Sequence, residues 1–198
     1  LTERLIEAGR KERESHVDTG VKEILIAPSW NEDNLLDSCI DDLINGLICD
    51  EYHITVRPHP EYVKRYGARM QAIVDRFADR VGERLSFELD FSGNKSIYTA
   101  DLLITDWSGI SVEYCFATKR PAIFVNAKMK VLNPNWQKIE CEPVEISLRN
   151  IVGVDVADNL FYICVVPRLE KVRSIRPVLI RKSGKLPADA DIFIGALC

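Results

Sequence analysis

The amino-acid sequence predicts an α/β fold, a parallel sheet covered by helices on both faces. Three observations carry that reading. Short apolar runs around 22–27, 52–57, 85–89, 101–105 and 121–125 alternate with amphipathic stretches, the pattern of repeated strand–helix units. Some of the runs stop at prolines, at Pro28 and at Pro58 and Pro60, residues that cannot continue a central strand. The composition, 46% apolar and 28% charged over 198 residues, suits one globular domain with a sizeable core.

Taken in order, residues 1–13 read as a charged amphipathic helix already under way. With no Met at the start, this suggests a piece of a longer protein. Residues 22–30 form a buried strand that Pro28 turns into a loop. Leu35, Leu36, Cys39, Ile40, Leu43, Ile44 and Leu47 mark a strongly amphipathic helix, because apolar side chains four apart share one helical face. Residues 52–57 are the second strand, and Met70, Ile73, Val74 and Phe77 face one side of the next helix. Strands at 85–89, 101–105 and 121–125 follow, with helices at 96–100 and 109–118 between them. The sheet is therefore Rossmann-like. From Lys128 onward the pattern weakens. A turn is expected at Asn133-Pro-Asn135, a short helix at 145–150, and a longer helix beginning over 158–166. The predicted organisation is a lead-in helix and linker at 1–20, a nucleotide-binding α/β domain at 21–165, and a helical or irregular tail at 166–198.

The net charge of −4 argues against a broad nucleic-acid footprint while leaving room for a local basic pocket. No apolar run reaches the ~20 residues that span a bilayer. Six cysteines, at 39, 49, 115, 141, 164 and 198, form no C-x-x-C pair and have no histidine at ligand spacing. They read as reduced thiols of a cytosolic protein, with Cys39 and Cys115 on apolar helix faces. No carboxylate cluster suggests a metal, and no cofactor is expected.

Right-handed crossovers put the C-terminal ends of parallel strands on one edge, where ligands bind in open α/β sheets. Three strand-end loops there carry the candidate chemistry. In the segment from Ile104 to Tyr114, a buried strand runs through Asp106, Ser108 and Gly109 into a helix. Ser108 and Gly109 leave backbone N–H groups open at a helix N-terminus, which favours an anion, and Ser111 adds a hydroxyl. Glu113 can accept hydrogen bonds from both ribose hydroxyls of a nucleotide. Asp106 or Ser108 fits an ordinary helix cap equally well. The second loop, Arg57-Pro-His-Pro60, holds His59 between two prolines. Arg57 offers a fork of donors for phosphate, and a protonated His59 would bind a phosphoryl oxygen and offset developing charge. A histidine satisfied by backbone in a tight turn is the plainer account. In the third loop Ser29 can donate to an anion, while Trp30 either walls the site or packs the following helix. His16 and His53 read as structural. Lys128 and Lys130 follow the fifth strand and can reach the ligand edge, although solvent exposure is the default for lysine.

The stretches 26–30 (Ile-Ala-Pro-Ser-Trp), 57–60 (Arg-Pro-His-Pro) and 101–109 (Asp-Leu-Leu-Ile-Thr-Asp-Trp-Ser-Gly) resemble, in their order and spacing, the CDP-glycerol:polyglycerophosphate glycerophosphotransferase family. Glu113-Tyr114 and the stretch 119–124 continue the likeness, which covers residues 20–130 well and fades after about 165. The resemblance implies one lobe of a glycosyltransferase-B-like fold, the C-terminal, donor-binding one. It implies a CDP-activated polyol donor, a polyol-phosphate or glycan acceptor, and work on teichoic acid or capsule at the inner face of the cell membrane. His59 would then be the catalytic histidine of this lobe, contacting the donor phosphates. Ser108, Gly109 and Ser111 would hold the diphosphate, and Glu113 the ribose. The family's other catalytic histidine belongs to a preceding lobe, so the chain is expected to be an incomplete, inactive part of the enzyme. The family often has Tyr at Trp107, Ser at Gly109 and Asp at Glu113, differences that leave room for another nucleotide. UDP-sugar 2-epimerases and nucleotide-sugar glycosyltransferases share the fold and the phosphate loop, and a non-catalytic scaffold keeps the same lobe. These readings stay open at the level of sequence.

Overall fold

A computed structural model describes residues 2–17, 19–131, 133–157, 161–165 and 176–180. Eight strands are present among them: β1 (Lys22–Ile26), β2 (Tyr52–Val56), β3 (Leu85–Phe87), β4 (Leu102–Thr105), β5 (Ala122–Asn126), β6 (Gly153–Ala157), β7 (Phe161–Val165) and β8 (Arg176–Ile180). The helices are α1 (Thr2–Ser15), α2 (Leu35–Ser38), α3 (Ile40–Leu47), α4 (Pro60–Arg65), α5 (Gly67–Arg76), α6 (Lys95–Thr99), α7 (Ile110–Thr118), α8 (Val144–Ser147) and α9 (Arg149–Val152). The first six strands make one sheet in the order β3-β2-β1-β4-β5-β6, and every pair in it is parallel. The α/β fold predicted from sequence is the observed one.

The strands alternate their side chains between two cores because a strand has a side-chain period of two. Ile24 and Ile26 of β1, Ile54 and Val56 of β2, and Leu102 and Ile104 of β4 enter one core. Leu35, Leu36, Leu43, Ile44 and Leu47 of α2 and α3 meet them there, as do Tyr62 of α4 and Met70 of α5. Leu25, Leu103, Ala122 and Phe124 point to the opposite face, under Ile97 of α6 and Tyr114 and Ala117 of α7. The first helix belongs to this second layer. Gly9 of α1 is so close to α7 that an added methyl would strike the Ala117 carbonyl, and the Arg13 guanidinium donates to the same carbonyl at 3.0 Å. What reads in sequence as a lead-in is packed against the domain.

The sheet extends further than expected, because β6 adds a sixth parallel strand beside β5. Residues 161–165, expected to open a long helix, instead form β7, paired antiparallel with β8. The expected helical or irregular tail thus contains a strand at Arg176–Ile180. The run Phe161-Tyr-Ile-Cys-Val165 is apolar at every position, so periodicity cannot separate helix from strand. Its aromatic and β-branched content decides for strand. The short helix expected at 145–150 is present as α8 and α9. The remaining tail lies outside the described residues.

Chain order sets the place for a site. The chain runs outward from β1 to β2 and β3, then returns past β1 to lay β4 on its other side. Between β1 and β4 the loops leaving the strands diverge in opposite directions, and a crevice opens at their C-terminal ends.

Candidate functional site

A cleft of about 370 Å³ occupies that crevice, within the range of small-ligand sites. Its wall comes from four segments: Ala27 to Trp30 after β1, Arg57 to Pro60 after β2, Ser108 to Ile110 with Glu113 at the start of α7, and Asn94 with Ile97 at the start of α6. Lys130, after β5, completes it. Ser29, Arg57, His59, Ser108, Gly109 and Glu113 are therefore brought together as expected, while Asp106 and Ser111 lie outside the lining.

Asp106 has a different task. It is 1% exposed, and its two carboxylate oxygens accept backbone N–H groups from Ser29 at 2.7 Å and from Leu35 at 3.0 Å. It ties the β4–α7 loop to the β1–α2 loop and has no oxygen aimed at a ligand. Thr105 reinforces the join by donating its hydroxyl to the Ala27 carbonyl at 2.6 Å. Ser111 turns its hydroxyl back to the Ser108 carbonyl at 3.1 Å, within the helix's first turn. The sequence places both residues beside the ligand edge but cannot say which way they face.

Arg57 lines the cleft, yet its guanidinium is occupied. It is ion-paired with Glu88, donates to the Gly93 carbonyl at 2.9 Å and to Asn94 Oδ1 at 3.2 Å, and lies over the Phe91 ring at 5.6 Å. The expected phosphate fork is a brace that holds the loop from β3 to α6 and so fixes Asn94 in the wall. Burial is the main influence on this group and lowers its pKa, although it stays a cation.

His59 is the N-cap of α4. Its Nδ1 accepts the Glu61 backbone N–H at 3.0 Å, so Nδ1 carries no proton and Nε2 does. The pKa is lowered, chiefly by burial and then by the Lys130 ammonium, with Glu61 opposing. Burial thus favours the uncharged ring with its proton on Nε2, where the sequence reading has a protonated one. The capping role, the plainer account, is real, and it leaves Nε2 for a ligand.

Ser29 is buried, its hydroxyl donating to Asn31 Oδ1 at 2.6 Å and its carbonyl accepting from the Asn34 amide at 2.6 Å. Ser108 is also buried and its Oγ receives a long contact, 3.5 Å, from the Ile110 N–H. Gly109 has ordinary helical dihedrals and nothing within 4 Å of the place a Cβ would take, so the N-terminus of α7 is open to the cleft. Glu113, one turn on, accepts from the Tyr98 hydroxyl at 3.3 Å. Trp30 takes both proposed parts: it packs against the larger core and walls the cleft, with Arg65 over its ring at 4.9 Å.

Sequence reasoning passed over Arg149. Only 3% exposed, it donates to the Asp106 carbonyl at 3.1 Å, to Asn126 Oδ1 at 2.6 Å and to Asp155 of β6 at 2.6 Å. Its guanidinium stacks 4.0 Å from the Trp107 ring. It pins the base of the β4–α7 loop from behind. A lone arginine in a weakly patterned segment gives no signal for this.

The sequence profile of the CDP-Glycerol:Poly(glycerophosphate) glycerophosphotransferase family matches residues 3–131. The chain belongs to this family. The match covers all four walls of the cleft and ends just beyond Lys130, so Arg149 and β6 buttress a glycerophosphotransferase-family core from outside the matched region. Among solved structures, the wall teichoic acid polymerase TagF with CDPG is similar at 23% identity and a TM-score of 0.38, over 62% of this chain and 27% of that one. The UDP-GlcNAc 2-epimerase of Methanocaldococcus jannaschii, in complex with UDP-GlcNAc and UDP, is similar at 16% identity and a TM-score of 0.48, over 80% and 41%. The chain spans less than half the length of either structure. No curated protein matches it. Among the described residues no group of three or more His, Cys, Asp or Glu is placed to hold a metal, and no helix is long and apolar enough to cross a membrane.

Proposed function

We propose that this chain is the donor-binding lobe of a transferase that moves glycerol phosphate, or a related polyol phosphate, from a CDP-activated donor to an acceptor hydroxyl. The observation that carries the reading is the cleft at the β1–β4 switch point. There the open N-terminus of α7, the His59 ring and Glu113 share one wall system, within a chain of the glycerophosphotransferase family. The α7 N–H groups and the helix dipole favour a phosphate, Glu113 takes the ribose hydroxyls, and the His59 Nε2–H donates to a phosphoryl oxygen.

In the transfer, the acceptor oxygen bonds to the β-phosphorus and the bond from that phosphorus to the bridging oxygen breaks. CMP leaves with that oxygen, and the acceptor's proton passes to a base on a second lobe. This lobe contributes positioning and charge stabilisation, where most phosphoryl-transfer catalysis lies. The full-length protein works at the cytoplasmic face of the membrane on teichoic acid or capsule, with the polymer's polyol phosphate or a glycan as acceptor. The 198-residue chain alone binds a cytidine nucleotide weakly and transfers nothing, since ligand clefts usually bury their ligand between two walls.

Calorimetric titration with CDP, CMP and UDP tests the reading, paired with a CMP-release assay on CDP-glycerol. CDP binding, weakened roughly ten- to hundredfold by the cap-preserving His59→Asn change, is the expected result. Preference for UDP would assign the lobe to the nucleotide-sugar enzymes, absence of binding to any nucleoside diphosphate would make it a scaffold, and turnover would locate the whole catalytic machinery within the chain.

A further inference from the structure

The cations around the cleft differ in whether the fold already neutralises them. Arg57 is paired with Glu88, Arg65 with Glu61, Arg69 with Glu32 and Asp37, and Lys128 with Asp33. Lys130 has no carboxylate within ion-pair distance among the described residues. It lies in the wall of the cleft, partly buried, and close enough to His59 to act on its ring electrostatically. Its one aromatic contact is slight. The ammonium is 5.9 Å from the Trp30 centroid, near the outer limit of such contacts, whereas Arg65 covers that ring at 4.9 Å. Packing and pairing among the described residues therefore leave this charge unused.

A lysine held in a cleft without a counter-ion raises the local potential for anions and supplies three rotatable donors. The N-terminus of α7 already provides for one phosphate, at the mouth of β4. Lys130 stands after β5, with the His59 ring from the β2 loop as its neighbour across the cleft. We propose that Lys130 forms a second phosphate subsite, distinct from the α7 N-terminus, and lets the cleft tell a ligand with two phosphate groups from a ligand with one. The proposal rests on the nucleotide reading above. The second phosphate is either the distal phosphoryl group of the donor or the phosphate of the acceptor, and the two sources separate by experiment.

The Lys130→Gln variant keeps length and polarity and removes the charge, and Lys130→Arg keeps the charge. Each is titrated with CDP, with CMP, and with glycerol 3-phosphate in the presence of saturating CMP. A loss of roughly tenfold or more in CDP affinity, with CMP affinity unchanged and Lys130→Arg close to wild type, assigns the subsite to the donor. Unchanged CDP and CMP affinities with a similar loss for glycerol 3-phosphate assign it to the acceptor. In either case the salt dependence of the affected affinity becomes shallower in Lys130→Gln, because one cation has been removed. Equal losses for CMP and CDP, or no loss for any of the three ligands, overturn the proposal while leaving the nucleotide reading intact. A wild-type chain that binds neither CMP nor CDP overturns both.

Discussion

Replacing Asp106 by Asn tests whether that carboxylate is the joint of the site. The side chain is almost wholly buried and accepts two backbone N–H groups, those of Ser29 and Leu35, more than 70 residues away in the chain. Hydrogen bonds to a charged acceptor contribute about 1.5–3 kcal/mol each. Asn keeps one acceptor oxygen, now uncharged, and turns an NH₂ toward the other N–H, so one bond is lost, one is weakened and a buried donor is left unsatisfied. The sum is about 3–5 kcal/mol, a large share of the ~5–15 kcal/mol typical of a native protein. It corresponds to a fall in Tm of roughly 6–20 °C at this chain length. Urea unfolding followed by circular dichroism reads the change as a lowered midpoint at constant slope. The comparison is Asp33→Asn: that residue is an exposed partner of Lys128 with φ 60°, a conformation Asn tolerates, and its variant leaves the midpoint in place. An Asp106→Asn protein within ~1 kcal/mol of wild type, where an unmade buried bond costs ~1–3 kcal/mol, would refute the assignment and return Asp106 to the ligand.

Two further outcomes follow from the fold. Gly9→Ala destabilises the protein by about 2 kcal/mol net, because a methyl driven into the Ala117 backbone costs about 3 kcal/mol and the better helix propensity returns about 1; a stabilised variant in the same urea assay would mean that α1 does not dock on α7. The depressed pKa of His59 gives stability that is complete above the unfolded value near 6.5 and declines as pH falls below it, since the unfolded chain then binds the proton first. Unfolding free energies at pH 7.5 and 5.5 fall more steeply for wild type than for His59→Asn, which keeps the α4 cap, and equal slopes would show that burial does not penalise the charged ring.

The parts of the fold that were legible in the sequence share a physical reason. β1, β2, β4 and β5 are short apolar runs ended by a proline or a polar turn, and α3 repeats its apolar residues at helical spacing, so local chemistry and tertiary packing agree. β6 hides because Gly153 opens it and Asp155 interrupts its apolar pattern. Both residues answer to distant partners: Gly153 lies where any side chain would meet the Ala122 carbonyl and the Phe124 ring, and Asp155 receives Arg149. β7 was misread for the opposite reason, since a run with no polar face has no period to read.

The candidate site divides along the same line. The strand-end rule finds the positions, because parallel topology puts every such loop on one edge, and six of the eight residues it selects line the cleft. It cannot find orientation. Arg57 and Ser111 carry donors suited to a phosphate and Asp106 an acceptor suited to a ligand hydroxyl, and each directs its polar group into the protein. Building a rigid anion site from loops requires this: the side chains best suited to hold a charge are the ones that can also fasten neighbouring main chain, and the fastening fixes the open N–H groups of α7 in place before any ligand arrives. The donors left over, the α7 N-terminus, Nε2 of His59 and the ammonium of Lys130, are then the ones on which the proposed ligand binding rests. Lys130→Gln and the cap-preserving His59→Asn lower affinity with little change in stability, whereas substitutions at Asp106 and Arg57 lower stability first.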